Sequence, residues 1–285
     1  MNKIKVIAEI GSNWKIPNDP HNSQMEILRH ITAAADCGAD IVKVQIFTAD
    51  TLYSKERLPQ VWERVKELEF PTTFLSRCLS QANQVGVKLW ASIFHPSLIQ
   101  PNVAYLQGLK VASGDITYYP LLEEMAYWSN KARIPLAIST GAATTAEIVQ
   151  ALQVIEKHDP YELILFHCVS AYPSQETDMN LRSGTSLRRA VDAIGLSDHT
   201  LFSNAAELAV ALEYTYFEKH FRTAGVDKSS PDYLVSASPE RFRSYIKNIR
   251  DAEVILGSYE KRVFPSEVKE RVMARRGSDF LRPNK

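Results

Sequence analysis

Short runs of β-branched and other apolar residues alternate along the chain with longer stretches in which apolar positions recur every three or four residues. The runs are Ile4 to Ile10, Ile41 to Phe47, Lys88 to Ile93, Leu109 to Ser113, Pro135 to Thr140, Leu163 to Ser170, Ala193 to His199 and Tyr214 to Phe221. Their near-continuous apolar character predicts strands buried on both faces, as in a parallel sheet. The spacing between them predicts helices over Gln24 to Asp36, Pro71 to Gln84, Thr145 to Lys157 and Asn204 to Leu212, several opened by Ser, Thr or Pro. Two further helices, Pro239 to Leu256 and Ser266 to Arg276, follow the last strand. Strands and helices in this alternation predict an α/β fold, a (β/α)8 TIM barrel, as one domain over residues 1–276 with extra C-terminal helices and a frayed tail at 277–285. A doubly wound open sheet is the competing architecture, and no GxGxxG follows the first strand to support it.

Composition narrows the partners. The 285 residues suffice for one large core, and Lys plus Arg balance Asp plus Glu at 33 each. A chain with no net charge and no basic stripe is not built for nucleic acid, although two or three placed cations can still hold a small anion. Cys37, Cys78 and Cys168 lie far apart without CxxC spacing, which argues against a disulfide framework or a zinc cluster and for reduced thiols in a cytoplasmic protein. Glu9 interrupts the first apolar run well short of a signal segment. No stretch approaches the ~20 apolar residues of a membrane span.

Nearly every predicted strand ends in polar groups that a buried strand does not need for packing. In order these are Glu9, Lys43 with Gln45, Ser92, Lys110 with Ser113 and Asp115, Ser139 with Thr140, His167 with Ser170, Ser197 with Asp198 and His199, and Glu218 with Lys219 and His220. On a barrel these positions ring the C-terminal mouth, where such folds carry their chemistry. Lys43 and Lys110, set among apolar neighbours, suit a phosphate or carboxylate, with the hydroxyls and amides of Ser113-Gly114 and Ser139-Thr140-Gly141 completing the acceptor sites. His199 and His220, each beside an acid, suit a shared divalent metal with open positions, as a Lewis acid requires. His167 reads equally as a core histidine. His21, His30, His95 and His158 lack a supporting cluster, and Trp62, Trp90 and Trp128 read as packing.

Several of these stretches together resemble the sialic acid synthase (N-acetylneuraminate synthase) family. They are Ile7-Ala8-Glu9-Ile10-Gly11-Ser12-Asn13, Val42-Lys43-Val44-Gln45, Leu109-Lys110-Val111-Ala112-Ser113-Gly114-Asp115, Ile138-Ser139-Thr140-Gly141, His167-Cys168-Val169-Ser170-Ala171-Tyr172-Pro173, Leu196-Ser197-Asp198-His199-Thr200, Glu218-Lys219-His220-Phe221 and Pro231-Asp232. The resemblance implies a TIM barrel that condenses phosphoenolpyruvate with an aldose such as N-acetylmannosamine, releasing phosphate and forming a 2-keto-3-deoxy sugar acid. It implies that Lys43, Ser92, Lys110, Ser113, Ser139, Ser170 and Ser197 hold phosphoenolpyruvate, and that Gln45, Asp115, Tyr172 and Asp232 face the sugar. Glu9, Glu218 and Asp198 become the candidate catalytic acids, and His199 and His220 the ligands of a metal, manganese first, with cobalt, zinc or iron also suited to two histidines.

The chain departs from the family pattern in places. Ser170 stands where Asn is usual, Arg222 where Thr is usual, and Asn13-Trp14 where Asn-His is usual. After Arg275-Arg276-Gly277-Ser278 only seven residues follow, where typical members continue into an antifreeze-like domain that caps the partner's active site in a domain-swapped dimer. The expectation is therefore a barrel without that cap, with its sugar recognised differently or a separate capping subunit supplied, Arg222 or Arg276 standing in for the cap's cation, and homodimerisation left open. A synthase for a legionaminic, pseudaminic, deaminated nonulosonic or octulosonic product is the nearest alternative; a catalytically silent sugar-binding or scaffold barrel is the other.

Overall fold

The computed structural model describes residues 4–201 and 204–283, so the first three residues of the expected domain and the last two of the expected tail lie outside the described residues. Strands β1 (Lys5–Glu9), β2 (Ile41–Ile46), β3 (Lys88–Ile93), β4 (Leu109–Val111), β5 (Leu136–Ser139), β6 (Leu163–Cys168), β7 (Ala193–Asp198) and β8 (Tyr216–His220) form a closed ring in sequence order. Every neighbouring pair is parallel, including β1 with β8. Closure rules out the open doubly wound sheet. Most strands stop short of the expected runs: Phe47, Ser113, Thr140, Ser170 and His199 have left the ladder for the loops above it.

The helices are α1 (Pro20–Asp36), α2 (Ala49–Leu52), α3 (Pro59–Glu67), α4 (Leu75–Val85), α5 (Tyr119–Ala132), α6 (Thr145–Glu156), α7 (Ala205–Ala211), α8 (Pro239–Leu256) and α9 (Val268–Ala274). α1 begins earlier than its apolar spacing marked, because Asp19 accepts from the Asn22 amide at 3.0 Å and Pro20 occupies the first turn. α6 starts on a reciprocal cap between Thr144 and Glu147. The helix expected from Pro71 begins with a single 3-10 turn at Thr72–Phe74 before α4, which ends at Gly86. α2, α3 and α5 add to the helices that the spacing marked. No helix among the described residues is long and apolar enough to cross a membrane.

Side-chain alternation along the strands builds two cores. One set, including Val6, Val42, Leu89, Leu136, Leu165 and Phe217, faces outward and packs with Ile27 and Ile31 of α1, Leu75 of α4, Leu121 of α5, Ile155 of α6 and Phe242 of α8. The other set faces inward: Ile7, Ile41, Trp90, Ala137, Ile164, Phe166, Ala193 and Tyr216 fill the barrel. Trp90 and Phe166 stand 6.0 and 6.2 Å from Tyr216, ring centre to ring centre. Gly108 is required beneath them, since a Cβ there would lie 2.2 Å from the Trp90 ring. Going toward the C-terminal ends, the same inward rows change from apolar to Glu9, Lys43, Ser92, Lys110, Ser139, Ser197 and Glu218, all buried.

The chain divides into two compact units, Met1–Ala252 and Glu253–Lys285. Within the second unit the Gly277 amide donates to the Leu281 carbonyl at 2.9 Å, and Arg276 donates to the Phe280 carbonyl at 2.6 Å.

Candidate active site

Four ionisable side chains meet inside the mouth. Lys110 Nζ donates to Glu218 Oε1 at 2.6 Å and to Ser197 Oγ at 2.8 Å, and its ammonium lies 4.5 Å from the centre of the Phe166 ring below. Lys43 Nζ pairs with Glu9, donates to Ser92 Oγ at 2.8 Å and stands 3.6 Å from Glu218 Oε2. Glu9 is held from its other side, Oε1 accepting from Gln45 Nε2 at 2.9 Å and from the Gly11 amide at 3.0 Å. Burial alone would pull the Lys43 ammonium down, but Glu218 and Glu9 outweigh it and keep its pKa above the ordinary lysine value. At Lys110 burial wins over Glu218, helped by the charge of Lys43, so its pKa lies below that value. For Glu218 burial opposes ionisation, yet Lys110 and Lys43 override it and hold the carboxyl well below the usual range.

The two histidines stand together at the rim, ring centres 5.6 Å apart. His199 Nδ1 is bonded to the Val169 carbonyl at 2.9 Å, which makes that nitrogen the donor and leaves Nε2 unprotonated in the neutral ring. Burial, then the nearby His220, push the His199 imidazole down to about 4, so at neutral pH the ring is uncharged. The Tyr172 ring lies 4.2 Å from His199 and 6.1 Å from His220. Asp232 Oδ1 stands 3.8 Å from His220 Nδ1, and its other oxygen accepts from the amide and hydroxyl of Ser12 at 2.6 and 2.7 Å. Ser12 was not singled out as a site residue, although it lies in the Ile7 to Asn13 stretch.

On the side of the mouth formed by β4, β5 and β6, Ser113 Oγ and Ser170 Oγ lie 2.9 Å apart. Gly141 approaches them so closely that a Cβ there would fall 2.1 Å from Ser170 Oγ and 2.7 Å from Cys168 Sγ. Asp115, on the 3-10 turn Ser113–Asp115, is half-buried, and burial pushes its carboxyl up to about 6. A recess beside Gln45 and Asp232 is walled by Trp14, Phe47, Leu52, Tyr53 and Phe94.

Two sequence expectations do not join this cluster. Asp198 faces outward from β7, one residue out of phase with Ser197, and its buried carboxylate pairs with Lys219 at 3.3 Å, so it is not among the acids of the mouth. His167 also faces outward, its Nε2 2.6 Å from the Met179 carbonyl oxygen. His30, taken as unsupported, is fully buried in α1, Nδ1 bonded to the Glu26 carbonyl at 2.9 Å and Nε2 accepting from the Thr223 amide at 3.3 Å. The Arg222 guanidinium lies over the Tyr233 ring at 4.0 Å.

The chain is 33% identical over 301 residues to the N,N'-diacetyllegionaminic acid synthase of Legionella pneumophila, covering 97% of this chain and 80% of that protein. It is 35% identical over 274 residues to an uncharacterized protein of Methanocaldococcus jannaschii, covering 95% and 77%. The solved N-acetylneuraminic acid (sialic acid) synthetase of Leptospira borgpetersenii, in complex with citrate, superposes with a TM-score of 0.80 at 28% identity, over 94% of this chain and 90% of that one. The NeuB family model matches residues 30–261, a span that holds β2 to β8 and all of the mouth except what β1 contributes. The chain belongs to the NeuB family.

Proposed function

We propose that this chain joins phosphoenolpyruvate to an acylamino aldose, releasing phosphate and forming a sugar acid of the legionaminic or sialic type. The reaction class, a phosphoenolpyruvate-dependent condensation to a keto-deoxy sugar acid, is that of the NeuB family; the choice of sugar is our reading. The observation that carries it is the Lys43, Lys110, Glu9 and Glu218 cluster set directly beneath the histidine pair. It puts an anion site and a carbonyl-activating site in one opening. The legionaminic type comes first because of the 33% identity to the Legionella enzyme, and the apolar recess beside Asp232 suits an acyl substituent.

Condensation forms a bond between C3 of phosphoenolpyruvate and the aldehyde carbon, leaving positive character at C2 that water then captures before phosphate departs. Lys43 and Lys110 exchange part of their carboxylate contacts for the anionic groups of phosphoenolpyruvate, with Ser92, Ser113, Ser139, Ser170 and Ser197 supplying hydroxyl donors. Glu218 and Glu9 face the developing charge at C2 and accept the proton of the attacking water. Gln45 steadies Glu9, while Asp232, Tyr172 and Asp115 orient the sugar. Asp115, its carboxyl pushed up to about 6 by burial, is mostly ionised at neutral pH and close enough to it to take up and release a proton. Holding both reactants in one opening supplies much of the remaining acceleration.

The histidine pair fits a divalent metal. Among the described residues no group of three or more His, Cys, Asp or Glu side chains is arranged to hold one, so a metal would be held by the His199 and His220 imidazoles. The fixed tautomer of His199 and the buried Nδ1 of His220, which makes no hydrogen bond and has only Asp232 at 3.8 Å, suit that use. A metal bound there, manganese first, supplies Lewis acidity toward the aldehyde oxygen.

Phosphate release from phosphoenolpyruvate with Mn2+ and a panel of diacetamido, acetamido and unsubstituted aldoses tests the proposal. Turnover with an acylamino aldose is expected. Turnover only with an unsubstituted sugar overturns the substrate, and none with any aldose leaves the sugar-binding or scaffold reading.

A further inference from the structure

Asp198 and Lys219 are both fully buried and neither belongs to the cluster in the mouth. Their place in the register is specific. Across β7 and β8, Ser197 pairs with Glu218 and Asp198 with Lys219, so the next residues on the two chains are His199 and His220. Inward, outward and inward again, the outward pair lies between the acid layer and the histidine layer.

The contacts of the Lys219 ammonium centre on the segment that carries His199. It donates to the carbonyl oxygen of Asp198 at 3.2 Å and to that of Thr200 at 2.9 Å, the two residues flanking His199, and pairs with the Asp198 carboxylate at 3.3 Å. Asp198 Oδ1 in turn accepts from the Thr200 amide at 2.8 Å and the Thr200 hydroxyl at 2.7 Å. From α8, the Tyr245 ring covers the ammonium at 5.5 Å. Since Lys219 is also the residue before His220, one side chain ties together the backbone carrying both histidines.

We propose that Lys219 is the positioning residue that fixes the separation and aim of His199 and His220, with Asp198 as the counter-charge that keeps its ammonium in place. A buried ion pair is weak evidence for stability, since replacing it with apolar side chains of similar volume is often neutral or stabilising. What such a pair adds here is direction: carbonyl oxygens on both sides of His199 must point at one ammonium, which fixes the turn between them. The Val169 carbonyl on His199 Nδ1 then sets the ring about that turn. The consequence for metal affinity rests on the metal reading of the histidine pair; the consequence for ring placement does not.

The test compares Lys219→Met, Asp198→Asn and a packing control, Ile249→Ala on α8, using three readouts: imidazole NMR of the metal-free protein, Mn2+ affinity and phosphoenolpyruvate affinity. Lys219→Met is expected to shift the His199 ring resonances while leaving those of His30 in place. It should weaken Mn2+ binding about 10–100-fold, the usual effect of removing a group that orients a ligand, with phosphoenolpyruvate affinity unchanged. Ile249→Ala should lower the melting temperature and move none of the three. Unchanged His199 resonances in Lys219→Met, or loss of phosphoenolpyruvate binding in step with Mn2+, overturns the proposal and makes Lys219 a packing residue. If Lys219→Met does not fold, Asp198→Asn decides: shifted His199 resonances support positioning and unshifted ones overturn it. If the unaltered protein binds no Mn2+, the metal reading fails, and the ring spectra alone decide the role of Lys219.

Discussion

Lys110 Nζ stands 2.6 Å from Glu218 Oε1, and Lys43 Nζ stands 3.6 Å from the other oxygen of the same carboxylate. The two ammoniums hold Glu218 ionised against burial, and in the proposed reaction it is the carboxylate that takes the proton of the attacking water. Glu218→Gln keeps the size of the side chain and an acceptor for Lys110 but removes its charge and basicity. The expected result is a fall in kcat for phosphate release of about 10²–10⁴-fold, the range for a lost general base, read by steady-state phosphate assay. An undiminished kcat would assign the proton step elsewhere.

Removing the histidines separates metal use from anion binding. His199→Ala and His220→Ala should each abolish Mn2+-dependent turnover while phosphoenolpyruvate still binds, because Lys110 is held by Ser197 and Glu218, two residues before the histidines, and Lys43 by Glu9 and Ser92. Chelator treatment followed by Mn2+ addition checks the same point in the unaltered protein; turnover indifferent to both would exclude a metal role for the pair.

Gly141 offers a steric probe of the anion side. In Gly141→Ala the new methyl group would collide with Ser170 Oγ and Cys168 Sγ, and the exposed Ser170, rather than the buried Cys168, is the side chain that gives way, at the cost of its contact with Ser113. Loss of one hydroxyl contact to an anion predicts a rise in KM for phosphoenolpyruvate of about tenfold, with kcat largely kept. A KM at the starting value would place the anion away from β5 and β6.

His30 sets an acid limit on stability. Burial lowers its pKa, and Nε2 must remain unprotonated to accept the Thr223 amide. The unfolded chain therefore binds more protons once the pH drops below the free histidine value of about 6.5. Stability should be full above that pH and fall toward the lowered folded value. Denaturant midpoints measured from pH 8 to 5 should decline, and the decline should be shallower in His30→Gln; parallel curves would remove His30 as the cause.

Much of this was legible in the chain. Lys43 and Gln45 stand two residues apart in an apolar run, which puts both on one face of a strand, and that face proved to be the inside of the barrel. The same period of two explains the misplacement of Asp198. Adjacent to His199 in sequence, it looked like part of the histidine cluster, but neighbours on a strand point to opposite sides. Lys219 was legible as a strand-end cation and not as a tie across β7, because its partners include two carbonyl oxygens, which no side-chain pattern marks. Ser170 and Tyr172 lie on irregular chain after β6, so their approach to Ser113 and His199 depends on the whole ring closing.

The aromatic plug of Trp90, Phe166 and Tyr216 seals the barrel from below. Reactants and products must therefore share a single doorway. Glu218 and Ser197 lie two residues deeper than His220 and His199, so whatever occupies the rim shuts in what lies beneath it. Under the proposed function the anion should then enter first and the sugar second, and a sugar bound to the empty enzyme would delay the next cycle. Sugar in excess should then act as a dead-end inhibitor competitive with phosphoenolpyruvate.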